Sequence, residues 1–138
     1  MPAGRTKDVG WQIGVSITVD GPVAPVWDRL VSARGFAVWL GRGVELRGER
    51  GEPYETEEGV VGEVRSFRPG DRIRLTWQPA DWDHETTVQI ALDDRGDRVG
   101  VRFHQERLAD AAEREAQRRH WKDVAERLRP TLETSTGV

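Results

Sequence analysis

Residues able to carry acid–base or metal chemistry are few in this chain, and most lie in one segment. Residues 81–85 read Asp-Trp-Asp-His-Glu, which puts three carboxylates and one imidazole next to one another. Such oxygen and nitrogen ligands could hold a divalent ion, but consecutive ligands rarely all converge on one point. We therefore expect no metal site and no cofactor. We interpret the segment as an exposed loop at the mouth of a cavity, with Trp82 and His84 at that mouth.

The other two histidines lie on predicted elements of regular structure. His104 shares one face of a predicted strand with Arg102 and Glu106, which favours an outward position. His120 lies about 100° around a predicted helix from Trp121, where it could reach solvent or a pocket rim. Proton transfer requires a group within hydrogen-bonding reach of a substrate, and the chain has no Ser-His-Asp order and no glycine-rich phosphate loop. We assign no catalytic residue.

Composition excludes several classes of protein. A chain of 138 residues is typical of one domain. It has no cysteine, which excludes disulfides and thiolate metal sites. Charged residues make up 33% but nearly cancel to a net charge of −3, which argues against nucleic-acid binding. No apolar run is long enough to span a membrane, and the polar start is unlike a secretory signal, so we expect a cytoplasmic location.

The elements that must position these residues follow from hydrophobic periodicity. Residues 11–19 alternate apolar and polar side chains, as a half-buried strand does. Helices are predicted at 23–32 and 34–40, and two weak strands at 44–47 and 52–56. Stronger strands follow at about 60–68, 72–77, 85–93 and 98–106, joined by short turns that favour antiparallel pairing. We expect one domain over residues 11–132, with flexible segments at 1–10 and 133–138.

A long helix is predicted from Asp110 to about residue 129. Asp110 is a suitable N-cap, with Glu113 three residues later in capping-box spacing. Pro130 is expected to stop or kink the helix, since it has no N–H to donate. One face carries an apolar stripe of Trp121, Val124, Ala125 and Leu128. Toward the N-terminus this face carries Glu113, Arg114 and Gln117 instead, which indicates a wetter environment there.

Several local motifs together resemble a known family. The segments that carry the resemblance are Val26-Trp27-Asp28-Arg29-Leu30-Val31, Trp39-Leu40-Gly41, Gly62-Glu63-Val64 with Pro69, and Asp71-Arg72-Ile73-Arg74-Leu75-Thr76-Trp77. Their order and spacing are similar to the SRPBCC (START-like) superfamily, in the branch like the C-terminal domain of the activator of Hsp90 ATPase. The resemblance covers about residues 11–132. His120 departs from it, because a small residue often precedes the closing tryptophan in that branch.

The resemblance implies an α+β helix-grip fold, in which a curved antiparallel sheet wraps around the long C-terminal helix and leaves a cavity between them. Relatives include polyketide cyclases, lipid or hormone carriers and a co-chaperone domain. The aromatic residues from four elements would converge inside, and polar helix residues would lie beside them. The candidate ligand-binding residues are Trp39, Trp77, Phe103, Glu113, Gln117, His120 and Trp121.

Two interpretations of these residues stay open: an aromatic-lined cavity or a packed core. The leading hypothesis is binding of a small hydrophobic molecule. The alternatives are a cyclase- or dehydratase-like enzyme that uses His120, Glu113 or Gln117, and a co-chaperone-like interaction module. We expect no nucleic-acid partner and no membrane span. We expect a monomer or a homodimer, with an apolar strip from Val44 to Tyr54 as a possible dimer surface.

Overall fold

Seven strands and three helices make up the described part of the chain, which covers residues 5–6 and 10–133 of a computed structural model. The strands are β1 (Arg5–Thr6), β2 (Gly10–Asp20), β3 (Pro53–Glu55), β4 (Val61–Arg68), β5 (Arg72–Trp77), β6 (Thr86–Asp94) and β7 (Arg98–Leu108). The helices are α1 (Val23–Leu30), α2 (Ala33–Trp39) and α3 (Ala111–Leu132). The sequence predicted each helix and the five longer strands, with small differences at their ends.

The strands form one antiparallel sheet in the order β1-β2-β7-β6-β5-β4-β3. Tight turns join β4 to β5 and β6 to β7, so these hairpins pair with their sequence neighbours. The long crossover through α1, α2 and the following loop carries the chain from β2 to the opposite edge. Inward side chains at alternate positions build the core from Ile73, Leu75, Val88, Ile90 and Val101.

Helix α3 lies along β2 and closes the concave side of the sheet. Its apolar stripe is buried as predicted, and Asp110 caps its N-terminus by accepting a 2.8 Å hydrogen bond from the Glu113 N–H. Near its two ends, the Arg114 side chain donates to the Gln12 carbonyl and the Arg129 side chain donates to the Thr18 carbonyl. The architecture is therefore the expected α+β helix-grip fold.

Two local expectations were wrong, and one predicted strand is shorter than expected. No strand forms at 44–47, because the Glu52 carboxylate accepts hydrogen bonds from the N–H groups of residues 47, 48 and 49 and curls this segment into a loop. The second weak strand shrinks to Pro53–Glu55. The predicted exposed strip is also absent, since Val44 is only 3% exposed and Tyr54 only 8%. That surface offers no apolar patch for a dimer.

The end of α3 also differs from expectation. Pro130 does not stop the helix, which continues to Leu132. Burial of the Leu132 side chain and a 3.0 Å hydrogen bond from Arg29 to the Leu132 carbonyl hold this last turn against α1. The predicted flexible segments, 1–10 and 133–138, lie largely outside the described residues. Within the first of them, Arg5–Thr6 pairs with Gly10 and Trp11.

Candidate functional site

An open cavity of about 310 Å³ lies where α2, the loop before β4, the end of β5 and the middle of α3 meet. Three of the predicted site residues, Trp39, Trp77 and His120, contribute to its wall. The rest of the wall is formed by Ala37, Val38, Leu40, Gly41, Glu58, Val60 and Arg127. Apolar side chains dominate this lining, and the polar groups are confined to His120, Glu58 and Arg127.

Trp39 forms the α2 side of the cavity. The Ser32 hydroxyl caps α2 by accepting a hydrogen bond from Gly35, and this cap sets where the helix begins. At the other end, the Trp39 indole N–H donates a 2.9 Å hydrogen bond to the Leu30 carbonyl of α1. This hydrogen bond fixes the orientation of the Trp39 ring. Gly41 lies two residues after Trp39. A larger residue would not fit there, because a Cβ would lie 2.4 Å from the Thr56 Cγ2.

Trp77 forms the sheet side of the cavity at the end of β5. Its carbonyl accepts a 2.7 Å hydrogen bond from the Thr86 hydroxyl of β6, which anchors the strand end. The indole ring meets Trp82 edge to face, with ring centroids 5.3 Å apart. Its centroid is 6.1 Å from that of the His120 imidazole. Trp77 thus links the cavity to the predicted mouth loop.

Helix α3 presents two titratable groups to the cavity, His120 and Arg127. The His120 ring packs between Trp77 and Trp121, with centroid distances of 6.1 and 5.0 Å. Within the part of the chain that the structure describes, no hydrogen bond to the imidazole is formed. Burial lowers the pKa of His120 below its usual value, and the nearby Arg127 guanidinium lowers it further, while Asp123 opposes this. The imidazole is therefore neutral near pH 7 and keeps an acceptor nitrogen.

Phe103 and Trp121 lie in the core and do not line the cavity. Their rings stack with centroids 5.7 Å apart, and each is only 1% exposed. The Trp121 indole N–H donates a 2.8 Å hydrogen bond to the side-chain oxygen of Gln105. Gln105 is fully buried, and its amide donates to the Thr86 hydroxyl at 2.9 Å. Sequence reasoning missed Gln105, although strand alternation places it on the same face as Phe103.

Glu113 lies about two turns before His120 on α3 and Gln117 about one turn before it, and both are absent from the cavity wall. Glu113 accepts a hydrogen bond from the Ala109 N–H at 3.0 Å and lies 2.6 Å from His84 Nε2. Its carboxylate therefore contacts the start of α3 and the loop that carries His84. The Gln117 side-chain oxygen is buried and has no hydrogen-bond partner among the described residues.

The segment predicted at the mouth forms a strap between β5 and α3. His84 stacks on Trp82 with ring centroids 5.0 Å apart, and its two nitrogens contact Asp83 and Glu113. The hydrogen bond to Asp83 raises the pKa of His84 above its usual value; burial opposes this, and Glu113 adds to it. In the described ranges, no three histidine or carboxylate side chains group closely enough to hold a metal ion.

Searches against known proteins support the architecture. The family model described as activator of Hsp90 ATPase homolog 1-like protein matches residues 20–133. A comparison of the sequence with curated proteins finds no match. None of the helices within residues 5–6 and 10–133 has the length and apolar character needed to cross a membrane.

Solved structures with the same fold include DynU16, a putative protein in the dynemicin biosynthetic locus, at 22% identity and a TM-score of 0.76 over 89% of this chain. This chain spans about half of DynU16, since the match covers 47% of that protein. CalU16 from Micromonospora echinospora matches at 18% identity and a TM-score of 0.73, over 94% of this chain and 82% of CalU16.

The Aha1 dimer from Colwellia psychrerythraea matches at 16% identity and a TM-score of 0.71, over 91% of this chain and 98% of that one. At these identities the structural matches show the fold alone. The family model reaches from the end of β2 to the end of α3, and so covers both walls of the cavity. The chain therefore belongs to the family of activator of Hsp90 ATPase homolog 1-like proteins.

Proposed function

We propose that the cavity between α2, β5 and α3 binds a small, mostly apolar molecule. The observation that carries this proposal is the lining: two tryptophans, Trp39 and Trp77, and four aliphatic residues outnumber the three polar ones around a space of about 310 Å³. Small-molecule sites occupy about 300–1,000 Å³ and combine apolar walls with few polar groups. This cavity is at the lower end of that range, which favours a compact ligand.

His120 supplies the polar contact that would orient such a ligand. Its neutral imidazole has no hydrogen-bond partner among the described residues. A polar group that is buried without a partner costs about 1–3 kcal/mol. A ligand hydroxyl or carbonyl beside His120 would remove that cost. We therefore infer a mostly apolar ligand with one hydroxyl or carbonyl group.

The experiment is a thermal-shift screen with fatty acids, polyketides and sterols, run on the protein and on two valine variants. Val38→Trp fills the cavity from α2, whereas Val61→Trp places the same ring on an exposed position of β4. We expect at least one compound to raise the Tm of the parent protein and of Val61→Trp, and not that of Val38→Trp. The absence of any shift, or equal shifts in both variants, would contradict the proposal.

The environment of His120 favours a second candidate, a cyclase- or dehydratase-like enzyme in the same cavity. A neutral imidazole inside an apolar pocket can accept a proton from a carbon flanked by two carbonyl groups and return it to the oxygen formed when that carbon attacks a third carbonyl. The test is cyclised product from a linear poly-β-ketone. His120→Gln should abolish product, whereas Glu113→Gln and Gln117→Leu should not. Unchanged product in His120→Gln would rule out this mechanism.

A further inference from the structure

Among the residues that the structure describes, strand β2 has an open edge in its central part. Within the described residues its outer side pairs only with β1, at Gly10 and Trp11. From Ile13 onward it pairs with β7 on its inner side alone. An edge strand presents unpaired N–H and C=O groups, so it can accept another strand unless those groups are covered.

Side chains from α3 and the residue that follows it cover this edge at its two ends. Arg114 donates a 2.8 Å hydrogen bond to the Gln12 carbonyl. Arg129 donates a 2.7 Å hydrogen bond to the Thr18 carbonyl, and Glu133 accepts one of 2.7 Å from the Asp20 N–H. These three contacts occupy one outward backbone group before the strand centre and two after it.

Gly14 and Ser16 are left between these covered ends. They lie four and two residues before Thr18 in a regular ladder, so their N–H and C=O groups also point away from β7. No side chain within residues 10–133 forms a hydrogen bond to either of them. Four backbone groups, two donors and two acceptors, therefore lie in one row without a partner among the described residues.

A groove lies on each face of the sheet beside Gly14 and Ser16. The concave-side groove, about 440 Å³, lies between β2 and α3 and includes Val15, Arg118 and Lys122. The convex-side groove, about 270 Å³, includes Gln89 and His104. A strand added to this edge sends alternate side chains to opposite faces. Its side chains would therefore enter the two grooves in turn, which is how strand addition gains specificity.

Charge distinguishes the two grooves and points to the partner. On α3, Arg119, Arg127 and Arg129 each pair with a carboxylate of the same helix. The concave-side groove is also lined by Glu126, which is the carboxylate paired with Arg129. Arg118 and Lys122, which line the same groove, form no ion pair with any described residue. A carboxylate side chain opposite Val15 would point toward these two cations. The edge therefore matches an acidic strand.

We propose that the open edge of β2 at Gly14 and Ser16 binds an extended acidic segment of a partner protein by β-strand addition. The four backbone groups hold the segment, and Arg118 and Lys122 select for an acidic residue at its centre. Self-pairing of two copies about Val15 fits less well. Because Lys122 lines the same groove as Val15, such a pair brings Lys122 of the two copies together, and like charges across an interface are destabilising.

The test measures fluorescence anisotropy of a short labelled peptide of alternating threonine and glutamate, with a threonine–lysine peptide as the probe control. Ser16→Pro removes one outward N–H without breaking the ladder to β7, because that N–H does not face β7. Arg118→Glu with Lys122→Glu reverses the groove charge. Arg34→Glu with Arg50→Glu makes the same net change at exposed positions away from β2.

We expect saturable binding of the glutamate peptide and none of the lysine peptide. Ser16→Pro and the Arg118/Lys122 variant should each bind about tenfold or more weakly, and the Arg34/Arg50 variant should match the parent protein. No binding by the parent protein, or equal binding by Ser16→Pro when its melting curve shows a folded protein, would overturn the proposal. A dimer in sedimentation that Ser16→Pro dissociates would also overturn it in favour of self-pairing. Binding that appears only after deletion of residues 1–4 would assign the edge to the chain's own N-terminus.

Discussion

The Trp121 indole N–H donates a 2.8 Å hydrogen bond to the side-chain oxygen of Gln105 in the sealed interior. Trp121 lies between the packed core and the open cavity beside α3. On one side of Trp121 its ring stacks on Phe103, and on the other it meets His120, which faces the cavity. The Gln105 amide continues the connection to the Thr86 hydroxyl, which donates to the Trp77 carbonyl. One polar chain thus joins α3 to the strand that carries the cavity wall.

Replacing Gln105 by leucine should lower the free energy of unfolding by about 1–3 kcal/mol, because the buried Trp121 N–H then has no acceptor. Urea denaturation measures this change. Gln89→Leu is the matched control, since Gln89 lies on the convex face and accepts only a long hydrogen bond from Arg74. Equal stability of Gln105→Leu and the parent protein would show that this hydrogen bond contributes nothing.

His120→Leu should weaken binding of a hydroxyl- or carbonyl-bearing ligand by about tenfold, the value of one hydrogen bond, while leaving the protein at least as stable. Stability should not fall because the imidazole forms no hydrogen bond within the described residues, and leucine can pack against the same two rings. Isothermal titration with the compound found by the thermal-shift screen measures the affinity. His104→Gln, on the opposite face of the sheet, should bind normally. A loss of affinity in both variants would argue against a specific role for His120.

The pKa of His120 should lie below 6.5, and Arg127→Gln should raise it toward that value, since burial and the Arg127 charge both lower it. The folded protein then binds fewer protons than the unfolded chain between the two pKa values. The His120 contribution to stability is therefore present above pH 6.5 and is lost as the pH falls through the folded-state pKa. Histidine ring resonances followed by NMR against pH give the pKa directly, and a value above 6.5 would contradict the burial argument.

The contact between His84 and Glu113 should make the strap over residues 81–85 sensitive to pH in the opposite direction. The pKa of His84 is raised, so its contribution is complete below 6.5 and is lost as the pH rises through the folded-state pKa. Hydrogen exchange of the strap, corrected for the intrinsic pH dependence, should be faster above that pKa than below it. Glu113→Gln should reduce the difference, whereas Glu115→Gln, which lies outside the contact, should preserve it.

Much of the architecture could be predicted because it depends on periodicity that the sequence displays directly. The alternation from Trp11 to Val19 and the apolar stripe on α3 each require one buried face, and the sheet wrapped around the helix provides it. Local capping was predictable for the same reason, since Asp110 needs only its own helix to act. Burial of Trp39 and Trp77 followed from the apolar patterns of α2 and β5.

What could not be predicted depends on contacts between distant parts of the chain. The Glu52 carboxylate replaces a strand at 44–47 by accepting three backbone N–H groups, a pattern that has no hydrophobic signature. Trp121 was assigned to a cavity because a ring in the core and a ring in a wall look alike in sequence. Its hydrogen bond to Gln105 distinguishes the two. The contacts of Arg114 and Arg129 with the edge of β2 could likewise not be predicted, because they depend on α3 running beside that strand.

The cavity is tested most directly by the tryptophan indole N–H resonances in a two-dimensional ¹H–¹⁵N NMR spectrum, recorded while compounds from the ligand panel are added. Trp39 and Trp77 line the cavity, whereas Trp27 packs against Phe67 and contributes nothing to the cavity wall. We predict that a binding compound shifts the Trp39 and Trp77 signals and leaves the Trp27 signal in place. Shifts confined to Trp27, or none at Trp39 and Trp77 with any compound that raises the Tm, would contradict a ligand site between α2, β5 and α3.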